Sequence, residues 1–343
     1  MKIVVSSRYD AVYNLALEEY LTRKASQEGV ILYLWQNNKA IIIGRNQNPY
    51  LECDIAYAKR NSIPIIRRMS GGGAVYHDIG NLNYTVIYES GLFTKGSVTD
   101  YLLLSLADVG IIAKKTGRND IEIDGKKVSG TAYYHGCGFV CQHGCILVNT
   151  DLDKIGMALS PDTDKITSKG IKSVRARVAN VSEFNAGVDI NILQTSLIRN
   201  LKMLLINTHF YSESLEIDKQ EIDPLSITDD AYRAILEKYS SDNWNLRKKI
   251  DMTYSLHSRF EWGDCTVYIL SDCDVIEDIY FFSDALDGSI FQIISLALRG
   301  IPFERKMMIE KLERVMDETI SKMDKTIISD IISLITEEFT IHE

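Results

Sequence analysis

The chain has 343 residues and a formal net charge of −9, and an acidic balance argues against a general nucleic-acid or anionic-membrane binder, which carries a basic excess. At roughly 100 to 200 residues per domain, two domains with a sizeable core are expected. Met1-Lys2-Ile3-Val4-Val5-Ser6 lacks the apolar core of a signal peptide, and no uninterrupted apolar run reaches membrane-spanning length; both predict a cytoplasmic protein whose six cysteines stay thiols.

Leu15, Leu17, Tyr20 and Leu21 lie near helical spacing and predict an amphipathic helix over residues 11–24. Ile31-Leu32-Tyr33-Leu34-Trp35 and Ala40-Ile41-Ile42-Ile43 read as strands, separated by the turn formers Asn37-Asn38. The apolar run Ile63-Pro64-Ile65-Ile66 then leads into Arg67-Arg68-Met69-Ser70-Gly71-Gly72-Gly73-Ala74-Val75-Tyr76-His77-Asp78. Each glycine loses more backbone entropy on folding than any other residue, so three in a row need an offsetting gain. Glycines let successive N–H groups turn toward a phosphate, and an arginine fork matches phosphate geometry. An anion-binding loop is the expectation, although neither the Walker A ending nor G-x-G-x-x-G fits. A glycine-rich bend before the strand-like Tyr84-Thr85-Val86-Ile87-Tyr88 is the reading that needs no ligand.

Residues 100–108, with leucines at 102, 103, 104 and 106, predict a buried helix. Ile121-Glu122-Ile123 and Lys127-Val128-Ser129 flank Asp124-Gly125, a strong hairpin signal. Strand alternation puts Lys126 and Lys127 on opposite faces, so only one of them faces any site. Cys137, Cys141 and Cys145, with His135 and His143 nearby, fit no standard zinc spacing, and a structural zinc is not expected. The basic run from Lys169 to Arg177 reads as a nucleotide clamp, a positive rim for an acidic partner, or a solvated charge run. Residues 191–206 predict another helix, and residues 212–230 a polar, partly loop-like stretch. Polarity around residues 240–252 marks a boundary, dividing the chain into residues 1–246 and 247–343. Strand-like alternation at Phe260 and at Thr266-Val267-Tyr268-Ile269-Leu270, then helical periodicity over residues 302–339, make the second, smaller domain α+β.

Five stretches resemble the lipoate-protein ligases of the biotin/lipoate ligase superfamily. They are Asn14-Leu15-Ala16-Leu17-Glu18, Ile43-Gly44-Arg45-Asn46-Gln47-Asn48, the glycine loop, Gly125-Lys126-Lys127-Val128-Ser129-Gly130-Thr131-Ala132, and His143-Gly144-Cys145-Ile146-Leu147-Val148-Asn149. A sixth, Lys172-Ser173-Val174-Arg175-Ala176-Arg177-Val178-Ala179-Asn180, follows them, and Phe260-Glu261-Trp262-Gly263 looks like the opening of the family's accessory domain. The resemblance implies an α+β fold: a large mixed-sheet catalytic domain with a smaller α+β C-terminal domain.

It also implies a two-step reaction. Lipoate and ATP, with Mg²⁺, form lipoyl-adenylate and pyrophosphate; a lysine of an acceptor lipoyl domain, on a 2-oxoacid dehydrogenase E2 subunit or a glycine cleavage H protein, then attacks the activated carbonyl. Charge building on phosphate and carbonyl oxygens is the main barrier, and fixed cations and N–H groups stabilise it. The family pattern makes Lys127 the catalytic residue. It assigns Arg67 or Arg68, with Gly72, Gly73, Ala74, Val75 and Tyr76, to nucleotide and lipoyl chain, and adds Arg45, His77, Asn83, Asn119, Asp120 and His143 as further contacts. His77 and Asp78 orient the loop, assist Mg²⁺, or form a hydrogen-bonded turn; the metal ligands stay open. A monomer is expected. The rivals are a lipoyl or octanoyl transferase working through a cysteine thioester and a non-catalytic lipoate-binding protein. Transferases with this loop typically carry a cysteine before the lysine hairpin, and residues 114–122 contain none.

Overall fold

The structure is a computed structural model and describes residues 1–340, apart from 95, 118, 137, 160–176, 209, 248–253 and 273. Most of the Lys169 to Arg177 run, the start of the sixth motif, Cys137 and Cys273 therefore lie outside the described residues. The chain forms two compact units, one of residues 1–43, 49–69 and 74–247, the other of residues 44–48, 70–73 and 248–343.

In the first unit the strands are β1 (Lys2–Ser6), β2 (Ile31–Trp35), β3 (Ala40–Ile43), β4 (Ile65–Arg67), β5 (Val75–His77), β6 (Asn81–Glu89), β7 (Lys114–Thr116), β8 (Asp120–Ile123), β9 (Lys126–Gly136), β10 (Phe139–Leu147) and β11 (Asp218–Ile222). Eight of them make one mixed sheet in the order β11-β1-β2-β6-β10-β9-β8-β7, and the other three a small sheet in the order β4-β3-β5. The pairs β11–β1 and β1–β2 are parallel, and the rest of the large sheet is antiparallel. All five residues of β2 are buried, as a strand covered on both faces requires.

Period-2 alternation sends Leu32, Leu34, Leu82, Tyr84, Val86 and Ile146 to one face, under the helices Ser97–Ala107 and Ile190–Asn207. The opposite face presents Ile31, Tyr33, Trp35, Ile87 and Cys141 to the helices Ala11–Glu28 and Asp230–Ser240. The first helix starts where the Asp10 carboxylate accepts the Val12 N–H at 2.9 Å and stops at Gly29, whose φ of 71° glycine adopts without strain. Its Asn14, Glu18 and Thr22 recur every fourth residue and are all buried, which lays a polar stripe against the sheet.

Asp124 and Gly125 take consecutive positive φ values of 49° and 78°, the primed turn that suits a two-residue hairpin. The polar stretch at residues 212–230 contains β11, an edge strand whose residues are nearly all exposed. Without a buried face it shows no apolar alternation, and only pairing with β1 reveals it.

The second unit contains the antiparallel β12 (Tyr254–Phe260), β13 (Gly263–Asp272) and β14 (Val275–Ser283), with the helices Ile290–Leu298, Arg305–Glu318 and Lys322–Thr340 packed on them through Ile269, Ile294, Leu312 and Ile331. Among the described residues no helix is long and apolar enough to cross a membrane.

Candidate active site

Register pairing across five strands aligns Trp35, Asn83, Cys145, Gly130 and Asp120 in one row. Directly paired residues share a face, so these side-chain positions look out on the same side of the sheet. The row beside it holds Tyr33, Thr85, His143 and Ala132.

Lys127 joins this face through a bulge. The register passes from Ile121 opposite Ser129 to Glu122 opposite Lys127, which leaves Val128 unopposed and buried in the core of the other face. Lys127 then extends over Gly130, where a Cβ would stand 3.0 Å from its Nζ. The ammonium lies 2.8 Å from Asp120 Oδ1, with both side chains about one-third exposed. That oxygen makes no aligned hydrogen bond, so the contact is an ion pair. The Lys127 backbone is tied on both sides, its N–H to the Arg177 carbonyl at 2.8 Å and its carbonyl to the Ala179 N–H at 3.0 Å. Lys126 is exposed at the start of the strand. Asn119 borders Asp120 and donates its amide to the Thr131 carbonyl at 2.9 Å.

The two arginines diverge. Arg68 is buried, with Nη1 3.2 Å from the Ile42 carbonyl; burial pulls it down to about 10, with Cys145 and Glu18 acting in the other direction. It is therefore still a cation at neutral pH, in the electrostatic neighbourhood of the polar rows. Arg67 is 0 % exposed, and its Nε and Nη2 donate to the carbonyls of Trp244 and Asn245 at 2.9 and 3.1 Å. It points to the short helix Asp242–Asn245.

Glu18 was not singled out as a site residue from sequence. It is 0 % exposed, and one carboxylate oxygen accepts from Thr85 Oγ1 at 2.6 Å and faces His143 Nδ1 at 2.8 Å. Trp35 Nε1 donates to the same threonine at 3.1 Å. The available signal was an acid four residues after Asn14 on the helix face that carries Ala11 and Leu15. Asn83 is 1 % exposed, and neither of its amide atoms finds a protein partner among the described residues. Buried amides are rarely left so, and this one suits a polar ligand.

His77 Nδ1 lies 3.2 Å from Asn37 Nδ2, while Asn37 Oδ1 accepts from Asn14 at 3.0 Å, which turns the Asn37 amide toward the ring. Burial, then the neighbouring Arg68 and His143, push His77 down to about 3, so the ring is neutral with its proton on Nε2. A histidine depressed in the fold stabilises it fully above the unfolded pKa near 6.5, and that contribution is lost as pH falls toward 3. Between pH 7 and 5 the expected loss is about 2 kcal/mol; His77→Gln should flatten this part of the pH dependence of thermal unfolding, and an unchanged slope would refute it. The Asp78 carboxylate accepts the Gly80 N–H at 2.8 Å and the Asp151 N–H at 2.9 Å, a turn-forming role. Ala74 and Tyr76 belong to the apolar cluster with Ile41 and Ile43, whereas Val75 packs against the cluster that contains Ile42, Ile66 and Trp35.

Gly72, Gly73 and Arg45 fall in the second unit. A Cβ on Gly71 would lie 2.1 Å from the Ala285 carbonyl oxygen, and one on Gly44 2.0 Å from that of Gly72. Gly72 has φ 86° and donates its N–H to the Ala285 carbonyl at 2.9 Å, and Arg45 N–H donates to Ser70 at 2.8 Å. Close backbone approach thus accounts for Gly71, whereas a Cβ on Gly73 would meet nothing within 4 Å. Gly71→Ala is expected to lower Tm markedly; Gly73→Ala should leave the free energy of unfolding within about 0.5 kcal/mol of wild type, with little change in Tm, and act on nucleotide affinity. Equal Tm losses in the two variants would refute this division.

Glu18, Cys141 and His143 bring three metal-ligand atoms within 4.8 Å of one another, all buried. The carboxylate and imidazole already face each other, and burial pushes the Cys141 thiol up, against deprotonation. Cys141 and Cys145 lie four residues apart on one strand, about 13 Å at strand rise, too far to share one ion.

The lipoyl protein ligase A/B catalytic domain family matches residues 10–202, and the bacterial lipoate protein ligase C-terminus family matches residues 249–335. A lipoate-protein ligase A of Blochmanniella pennsylvanica is 33% identical over 322 residues, covering 90% of this chain and 91% of that one. LipL1 of P. falciparum in complex with lipoate shares the fold with a TM-score of 0.84 at 24% identity, over 98% of this chain and 100% of its own. A bipartite lipoate protein ligase with its E2 lipoyl domain, from Thermoplasma acidophilum, gives a TM-score of 0.62 at 30% identity over 74% of this chain and 98% of that one. A lipoate-protein ligase A bound with ATP gives 0.59 at 29% over 72% and 98%. With more than half of its length inside the catalytic family and a third of its residues identical to such an enzyme along nine-tenths of both chains, this chain belongs to the lipoate-protein ligases.

Proposed function

We propose that this protein is an ATP-dependent lipoate-protein ligase that converts lipoate to lipoyl-AMP and transfers the lipoyl group to a lysine of an acceptor lipoyl domain, on an E2 subunit or a glycine cleavage H protein. The observation that carries the site assignment is the bulge that turns Lys127 onto the face holding Asn83 and Asp120. Its ammonium, a compact point charge on a flexible stem, neutralises charge on the α-phosphate and the lipoate carboxylate as the carboxylate oxygen attacks phosphorus and pyrophosphate leaves. Arg68 supplies a second, fixed cation, and the Asn83 amide orients the acyl group. Buried charge of this kind stabilises a transition state without reorganising. In the second step the acceptor amine attacks the carbonyl, and AMP departs from the same cations. Gly72, Gly73 and Arg45 keep the assignment to the nucleotide that the family pattern gives them.

Mg²⁺ binds through one or two carboxylates with phosphate oxygens and water, and Asp120 offers a hard oxygen with no aligned hydrogen bond. Cys141 and His143 are softer donors than it prefers, and the fully buried Glu18 oxygen is already engaged by Thr85 and His143. Asp120 would hold the ion, which would add positive charge beside the triphosphate.

The transferase reading needs a reactive thiol. Cys145 stands in the Gly130 row, but burial raises its pKa despite Lys127 and Arg68, and a protonated thiol is a weak nucleophile. Incubation with lipoate, ATP, Mg²⁺ and a lipoyl domain, followed by weighing the acceptor, tests the proposal. Lipoylation that proceeds without nucleotide would overturn it in favour of a transferase; tight lipoate binding without pyrophosphate release would favour a binding protein.

A further inference from the structure

The chain leaves the first unit for the second after Ile43, and two further times, after Met69 and after Arg247. A set of hydrogen bonds wholly inside the first unit joins the residues just before the last two of these points. Arg67 N–H donates to Asn245 Oδ1 at 3.0 Å, its Nε to the Trp244 carbonyl at 2.9 Å and its Nη2 to the Asn245 carbonyl at 3.1 Å. In return Trp244 Nε1 donates to the Arg67 carbonyl at 2.7 Å, and Asn245 Nδ2 donates to the Tyr239 carbonyl at 2.7 Å. These carbonyls close a four-residue helix, where C=O groups have no intrahelical partner, and a planar fork can meet two of them at once.

The far side of the tryptophan is held as well. Lys238 Nζ sits 4.0 Å from its ring centroid and 2.6 Å from Glu19 Oε2, so the contact chain runs from the first helix through Lys238 and Trp244 to Arg67. Burial, aided by Arg247, lowers Arg67 to about 9, and the carbonyl partners offset part of the desolvation of the guanidinium. The next residue is Arg68, whose N–H donates to the Ile43 carbonyl at 3.0 Å. Successive residues of extended chain project oppositely; with Arg67 pinned to Trp244 and Asn245, Arg68 is turned toward Glu18 and Cys145.

We infer that Arg67, Trp244 and Asn245 form a positioning clasp for the ligase reaction: they touch no substrate, but they set the direction of Arg68 from the segment that leads into the second unit. The inference rests on the proposed ligase activity and adds to it that the residues before position 248 govern the adenylation step. The test is pyrophosphate release from lipoate, ATP and Mg²⁺, normalised to active sites titrated in a single turnover, for wild type, Arg67→Lys, Trp244→Phe and the double variant. Release by the wild type bears on the ligase reading alone; the variants bear on the clasp.

The clasp requires that kcat per titrated site fall about tenfold in Arg67→Lys and a few-fold in Trp244→Phe, which loses the indole N–H and part of the ring beneath Lys238, while KM for ATP and lipoate stays within about twofold. The double variant should be no worse than Arg67→Lys, as members of one network are non-additive. If Arg67→Lys yields no folded protein, the Trp244→Phe value decides. Unchanged kcat per site, with only Tm or the fraction of titratable enzyme reduced, would mean a purely structural set of bonds and overturn the clasp.

Discussion

Lys127→Ala is expected to reduce pyrophosphate release from lipoate and ATP by about a hundredfold to a thousandfold while leaving the folded protein almost as stable as before. Two features set this combination. Among the described residues the side chain, about one-third exposed, is ion-paired with a comparably exposed Asp120, and such pairs contribute roughly 0–1 kcal/mol; the Asp120 oxygen left behind belongs to a side chain that water already reaches. The backbone bonds to Arg177 and Ala179 do not involve the side chain, so the bulge survives the substitution. Lys127→Arg should also be poor, because a planar fork cannot replace a point charge over Gly130. Pyrophosphate release measured beside thermal unfolding checks both parts, and near-normal turnover in Lys127→Ala would remove the residue from the mechanism.

Glu18→Leu should have the largest effect on stability. The carboxylate is 0 % exposed, it accepts from Thr85 and faces His143, and it lies near Arg68. A leucine would leave the threonine hydroxyl and the imidazole without their acceptor, at about 1–3 kcal/mol for each orphaned group, besides depriving a buried cation of its neighbouring charge. For a protein of this size that corresponds to a fall in Tm on the order of 10 °C. Glu18→Gln, which keeps an acceptor oxygen of the same shape, should lose much less. Comparable melting of Glu18→Leu and wild type would show that the threonine and histidine find other partners.

Much of the architecture was legible because local chemistry dictates it. The all-apolar Ile31–Trp35, the Asp124-Gly125 turn and the first helix announce themselves through patterns with a period of two to four residues, and those periods are fixed by backbone geometry. β11 could not be read in this way, since an exposed edge strand of charged residues has no buried face to impose alternation. The helical stretch over residues 302–339 proved to be two helices, Arg305–Glu318 and Lys322–Thr340. The apolar periodicity continues across the break at Thr319, so the pattern alone did not show it.

The site divides along the same line. Sequence by itself determined the family and supplied the short list of candidate residues, because each of those rests on residue types in a fixed local order. Only the tertiary structure decided which arginine turns toward the polar rows: Arg67 and Arg68 are locally equivalent, and the partners that separate them, Trp244 and Asn245, lie 177 and 178 residues away. It decided as well that Gly71 answers to carbonyls at residues 285 and 286 and that Glu18 underlies His143. Hydrogen bonds and close packing act between groups adjacent in space, and adjacency at such separations is a property of the folded chain, not of the order of its residues.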